Sequence, residues 1–191
     1  LVDCCIFAGI DKLLVEWMKD RLENEDLTAK LDGKTIPEVC MLRRKMHFGE
    51  RLRSEYFILE NAFHIISRGP CIPVSDITNN VKQYVEQDYL IDRRYRYFYF
   101  YFDKLEDNAD FERLRDLVEN IYTNDYLNRQ IVNWNQNFVD AGGKTGLPQQ
   151  LEFYSRYIRN NKERTVVIIS DAMRYEVGQT LFEKIQADEK C

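Results

Sequence analysis

Histidine is nearly missing from this 191-residue chain, with His47 and His64 its only two. They fall in separate helical patterns, with no cysteine or carboxylate at metal-ligand spacing beside either. That excludes a Ser-His-Asp system built from this chain alone. Glycine and proline are also scarce, at eight and four residues, which disfavours an all-β chain with many tight turns. No run reaches the roughly 18 apolar residues that a membrane span needs. The opening residues 1–10 carry Asp3 and are too short for a signal peptide, so no membrane is expected. No internal repeat of fixed period is found. The five cysteines, at 4, 5, 40, 71 and 191, are odd in number and match no ligand pattern. Adjacent Cys4 and Cys5 cannot chelate one ion as a C-x-x-C pair does, so the set reads as reduced thiols of a cytoplasmic protein. A first residue that is not Met, and an end soon after a lone strand pattern, read as an excised fragment.

What is present is a core for helices. Hydrophobic residues make up 45% and charged residues 31%, enough for a soluble packed chain. The net charge of −5 argues against a dominant nucleic-acid surface and leaves room for a local basic patch. Ile6, Ile10, Leu13, Leu14, Trp17 and Met18 give a first amphipathic helix. Asp32-Gly33 marks a turn, and Thr35 caps a helix with Pro37 near its start, expected to run to about Phe48. Leu52, Tyr56, Leu59, Phe63 and Ile66 repeat at four-three intervals. Gly69-Pro70 ends that helix, and Ser75-Asp76 caps the next. Further helical patterns start near Asp110, at Leu127 and at Leu147. Roughly six to eight helices with short links predict a mainly α fold of stacked helical hairpins or a helical bundle.

One stretch differs. Thr165-Val166-Val167-Ile168-Ile169-Ser170 reads as a strand buried on both sides, because it has no polar face. This strand (about 165–170) and a following helix begin a truncated α/β domain, which divides the chain into a helical domain at 1–163 and a second domain at 164–191. Asp171 would stand at the C-terminal tip of that strand, where open α/β sheets place ligands. It suits a hard cation as an oxygen ligand; equally, it suits a helix N-cap taking the amides of Met173 or Arg174. Arg174 and Glu176 lie within one turn and would support that ligand, contact a phosphate, or pair with each other.

Two other features compete for function. Gly143-Lys144-Thr145 looks like the end of a phosphate loop, but Phe138 stands where the first glycine belongs and the loop follows a helix, so it reads as a plain loop. Residues 95–102, Tyr-Arg-Tyr-Phe-Tyr-Phe-Tyr-Phe, hold seven aromatics in eight positions. Strand propensity is high there, yet the four-three rhythm through Tyr95, Phe98, Phe102 and Leu105 favours helix. With Arg93, Arg94 and Arg96, this run could contact nucleic acid, DNA for instance. Glu86, Asp88, Asp92 and Asp103 dilute that field, so a helix filling a core is the plainer reading. A helical nucleic-acid-binding or protein-interaction scaffold is therefore the alternative function.

The segment Val166-Val167-Ile168-Ile169-Ser170-Asp171-Ala172-Met173-Arg174-Tyr175-Glu176 resembles the opening motif of the PglZ domain. Tyr122-Thr123-Asn124-Asp125-Tyr126-Leu127 and residues 144–154 resemble the type A form found in BREX phage-resistance systems, so the likeness covers mainly the second half of the chain. PglZ domains are similar to the alkaline-phosphatase superfamily of metal-assisted ester hydrolases. The resemblance implies that Asp171 is a metal ligand in a longer parent that uses a divalent metal, zinc. It implies partners among the other proteins of the defence system. The nucleophile and remaining ligands would lie in later segments, so this chain is expected to hold no catalytic residue, bind no metal alone and be inactive. Thr180 does not follow a strand and is not promoted to nucleophile.

Overall fold

The structure is a computed structural model that describes residues 2–7 and 9–188. It is mainly α, as the periodicity predicts. Helix α1 spans Gly9–Glu23 and buries Asp11, Leu14, Val15, Met18 and Leu22 along one stripe. Strands β1 (Lys30–Leu31) and β2 (Lys34–Thr35) form a two-stranded antiparallel hairpin pairing Lys30 with Thr35. Its turn residues Asp32 and Gly33 both have positive φ, 50° and 76°, the backbone that a two-residue hairpin turn of right-handed twist requires. Helix α2 (Ile36–Arg43) starts where Thr35 donates its amide and hydroxyl to Glu38, each at 2.8 Å. It stops at Arg43, short of the expected Phe48, and a 3-10 turn at Gly49–Leu52 leads into α3 (Arg53–Arg68).

Helix α4 (Ile77–Gln83) is capped by Asp76, whose carboxylate accepts the Asn79 amide at 2.8 Å. A π turn at Tyr84–Asp88 is followed by α5 (Tyr89–Phe102), so the aromatic run is helical. Then come α6 (Glu112–Asn120), a second π turn at Ile121–Leu127, α7 (Asn128–Asp140) and α8 (Tyr175–Ala187). The helix expected from Leu147 shrinks to a 3-10 turn at Gln150–Glu152 and a π turn at Tyr154–Ile158. The cause is visible in its apolar face: Leu147, Leu151 and Tyr154 are exposed. Tertiary cover supplies most of what holds a short helix, and here it is missing.

Two compact units emerge from the packing. The first combines the chain up to Pro73 with Leu90–Val132; the second combines Val74–Tyr89 with the chain from Asn133. In the first, α2 and α1 pack on α3, and α6 packs on α1 and α3. Leu14, Met18, Leu22, Ile36, Val39, Leu59, Ile65, Leu114 and Val118 form its centre. At that centre lies a polar cluster. Arg43 is fully buried and grips Asp11 with two bonds, Nε to Oδ1 at 2.9 Å and a terminal nitrogen to Oδ2 at 2.6 Å. Tyr56 donates its hydroxyl to Asp11 at 2.5 Å, and Arg43 also donates to the carbonyls of Val2 (3.0 Å) and Cys4 (2.6 Å). The Asp11 bond holds the Arg43 guanidinium above its ordinary range, while burial and then the Asp11 bond push the Tyr56 phenol up.

The aromatic run closes the same unit. The Tyr95 ring stacks on Tyr122 with centroids 3.7 Å apart and planes 9° apart. Tyr95 and Tyr99 both donate hydroxyls to Glu119 at 2.5 Å. Those two donors hold the Glu119 carboxyl below the usual carboxylate range, and burial, then the Glu119 bond, pushes the Tyr99 phenol up to about 12. A depressed carboxylate contributes stability that is complete above its unfolded pKa, about 4.3, and is lost as pH falls through the folded value. Thermal unfolding from pH 6 downward should therefore show the wild type losing melting temperature more steeply below about pH 4 than Glu119→Gln. Parallel curves would remove this role.

In the second unit three asparagines tie a loop and α4 to α7. Asn137 donates to the Val74 carbonyl at 3.0 Å and to Asn80 at 2.6 Å. Asn133 accepts the Val74 amide at 3.0 Å and the Asn80 side-chain amide at 2.9 Å. Each is a group whose burial would be costly without a partner. Tyr175, opening α8, meets the edges of Tyr84 and Tyr89 at 5.8 and 5.5 Å.

Candidate functional site

Residues 164–170 lie in the second unit without a ladder partner among the described residues, which corrects the expected strand at about 165–170. Val166 is 77%, Ile168 87% and Ile169 91% exposed. A lone extended segment cannot satisfy its amides and carbonyls from within itself, so without neighbours it has no sheet to join. Its residue types still describe a covered strand, and the absence of that cover is the anomaly.

Asp171 follows in an exposed turn, and Ala172 after it has φ +53°, an uncommon conformation for a residue with a β-carbon. Helix α8 begins only at Tyr175, with Arg174 at the cap position in extended backbone, φ −70° and ψ 152°. The structure thus decides between the two readings of Asp171 as a cap: it lies three residues before the cap position and does not serve α8. Arg174 is exposed, whereas Glu176, in the first turn, is 1% exposed. The two side chains therefore sit in different environments, one in water and one inside. Thr180 donates its hydroxyl to the Glu176 carbonyl at 2.8 Å, a local helix bond rather than a presented nucleophile.

One carboxylate suits a hard cation, but among the described residues no group of three or more His, Cys, Asp or Glu stands together to hold a metal ion. The described residues thus do not make a complete metal site, and no chemical step is drawn through one. His47 sets its ring on the edge of Phe48 at 5.0 Å, and burial, with Arg94 adding to it, lowers the His64 pKa. Cys4, Cys5, Cys40 and Cys71 are free thiols, and burial pushes the Cys40 thiol up. Cys191 lies outside the described residues. Gly143-Lys144-Thr145 sits in a loop after α7, with Gly143 at φ +75°.

The three arginines expected to touch nucleic acid lie on α5 and are half-buried. Arg94 reaches Glu60 at 3.3 Å and the Asn61 side-chain oxygen at 3.4 Å. Arg96 lies 4.6 Å over the Tyr97 ring. Phe98 and Phe102 are buried in the core, and Tyr95 and Tyr99 are turned to Glu119. Much of the aromatic run thus fills the first unit. Sequence reading missed the Arg43–Asp11–Tyr56 cluster, because its members are 32 and 45 residues apart and no local pattern links them.

No family model matches the chain, and no solved structure matches it. Over 196 residues it is 33% identical to the alkaline phosphatase-like protein PglZ of Bacillus cereus (strain H3081.97), covering 97% of this chain and 22% of that protein. The chain is a homologue of the alkaline phosphatase-like PglZ proteins. Over 210 residues it is also 31% identical to the alkaline phosphatase-like protein BrxZ of Escherichia coli O9:H4 (strain HS), covering 100% of this chain and 24% of that protein. It therefore spans less than a quarter of the length of these curated relatives. The likeness to PglZ takes in the helical first half, where the sequence alone carries only a general helical character. No helix among the described residues is long and apolar enough to cross a membrane.

Proposed function

We propose that this chain is the helical mount of a longer alkaline phosphatase-like protein of a BREX-type phage-defence system. In this reading residues 1–163 are the mount and residues 164–191 open a metal-dependent phosphoesterase-like α/β domain. The observation that carries it is the uncovered apolar segment 166–169 running straight into Asp171: a sheet from the rest of such a protein would cover the segment and set the carboxylate at its edge. The PglZ and BrxZ matches support the enzyme class. Asp171 would then be one ligand of a divalent metal, zinc, with Arg174 contacting a phosphate or supporting the ligand and Glu176 supporting from beneath. By itself the chain hydrolyses nothing, works in the cytoplasm, and binds other proteins of the defence system.

The test uses the full-length protein with added zinc and a chromogenic phosphodiester. Asp171→Ala should keep the melting temperature of the metal-free protein and lose the metal-dependent hydrolysis. Unchanged hydrolysis in that variant would remove the ligand assignment.

A further inference from the structure

The first unit carries a column of cations and rings that neither its core nor the proposed site uses. The Phe57 ring on α3 stacks on Tyr101 of α5, with centroids 4.1 Å apart and planes 6° apart. The Arg44 guanidinium lies 3.9 Å over the same Phe57 ring. Two groups at such distances cannot share one face of a ring, so the order is guanidinium, phenyl, phenol. Arg53 stands 5.7 Å from the Phe57 centre. At the other end Lys104 lies 4.0 Å over Phe100 and 5.8 Å from the Tyr101 centre. Phe100 meets Tyr101 edge-on at 5.1 Å and is 49% exposed. Arg53 and Lys104 are exposed, and Arg44, Phe57 and Tyr101 are half-buried. Glu60, the carboxylate tied into this face, is shared by Arg44 and Arg94 and so is outnumbered by them.

A core needs neither exposed rings nor the cations laid over them. A polyanion whose units carry flat rings needs both: the cations meet phosphates, and the rings continue a stack. We propose that the face formed by Arg44, Arg53, Phe57, Phe100, Tyr101 and Lys104 binds single-stranded nucleic acid. Bases stack on Phe100 and the Tyr101 end of the column, and Arg53 and Lys104 hold phosphates. Charge complementarity selects a polyanion, and the exposed ring selects an unpaired strand over a duplex, whose bases are already stacked. The nucleic-acid face thus lies on the Arg44–Tyr101–Lys104 column rather than on the Arg94 and Arg96 side chains, which the protein's own groups engage.

The experiment needs no metal and no hydrolysis, so its result is independent of the reading of Asp171. Fluorescence anisotropy of a labelled oligothymidine of about 20 nucleotides is measured with the 191-residue chain, and a duplex of equal length and polyglutamate serve as competitors. Binding is expected at about 50 mM salt, weakening at least about tenfold by about 200 mM. Arg53→Ala with Lys104→Ala should weaken it about tenfold and reduce the salt slope by about one. Phe100→Ala should weaken it at least about fivefold while leaving that slope alone. Both variants alter exposed side chains, and helical circular dichroism confirms that they fold. Absence of binding at the lower salt, or binding that these substitutions leave unchanged, overturns the proposal. Equal competition by polyglutamate with Phe100→Ala silent also overturns it, in favour of an acidic protein partner.

Discussion

Arg43→Met is expected to destabilise the first unit by about 3–5 kcal/mol. The substitution leaves the Asp11 carboxylate, 1% exposed, with the Tyr56 hydroxyl as its remaining donor in the cluster. It also strips the Val2 and Cys4 carbonyls of the guanidinium that serves them. Taking one partner from a buried ion pair costs far more than the pair contributes, because the desolvated charge stays behind. The double change Asp11→Leu with Arg43→Met should therefore recover most of the loss, although each single change is severe. Urea unfolding followed by Trp17 fluorescence in a Trp134→Phe background reads the first unit alone, since Trp134 lies in the second. An Arg43→Met midpoint equal to wild type would show that the cluster is solvated in solution.

Gly49→Ala is expected to cost about 3 kcal/mol or more, at the upper end of overpacking substitutions. A β-carbon at Gly49 would stand 2.0 Å from the Arg43 carbonyl oxygen and 2.7 Å from its carbon. Those are backbone atoms of the residue that anchors the cluster, so they cannot swing away as a side-chain tip would. The same β-carbon would come within 3.2 Å of the Asp11 carboxylate. Relief of the clash would shift the guanidinium off its two bonds. Gly49→Ala and Arg43→Met should thus be strongly non-additive in the same urea assay, because both act through one network. Simple addition of the two losses would place Gly49 outside it.

The sequence made the helices legible because each buries one stripe: Leu14 and Met18 on α1, Tyr56 and Leu59 on α3, and Leu114 and Val118 on α6. The rhythm also outweighed strand propensity across residues 95–102, where Phe98 and Phe102 point into the core. Local chemistry marked Thr35 with Glu38 and Asp76 with Asn79 as helix starts. Legibility ended where stability depends on distant partners. Leu151 and Ile168 have the spacing or composition of buried elements, yet composition does not say what covers them. The Arg43 cluster was invisible for the opposite reason: its partners come together only once α1, α2 and α3 have packed. Of the candidate site, the position of Asp171 after an apolar run was readable. That it stands clear of the α8 cap was not.

The uncovered run has a consequence for solubility as well as for chemistry. Residues 165–170 combine high β-propensity with no charge, no proline and no glycine, the composition of segments that assemble edge to edge between chains. Glu163 and Arg164 stand just before the run and Asp171 just after it. Such flanking charges act as gatekeepers, since stacking identical chains in register would stack like charges. Asp171 therefore guards the chain against self-assembly whenever nothing else covers the run, and a change at this residue alters colloidal behaviour and ligand chemistry together.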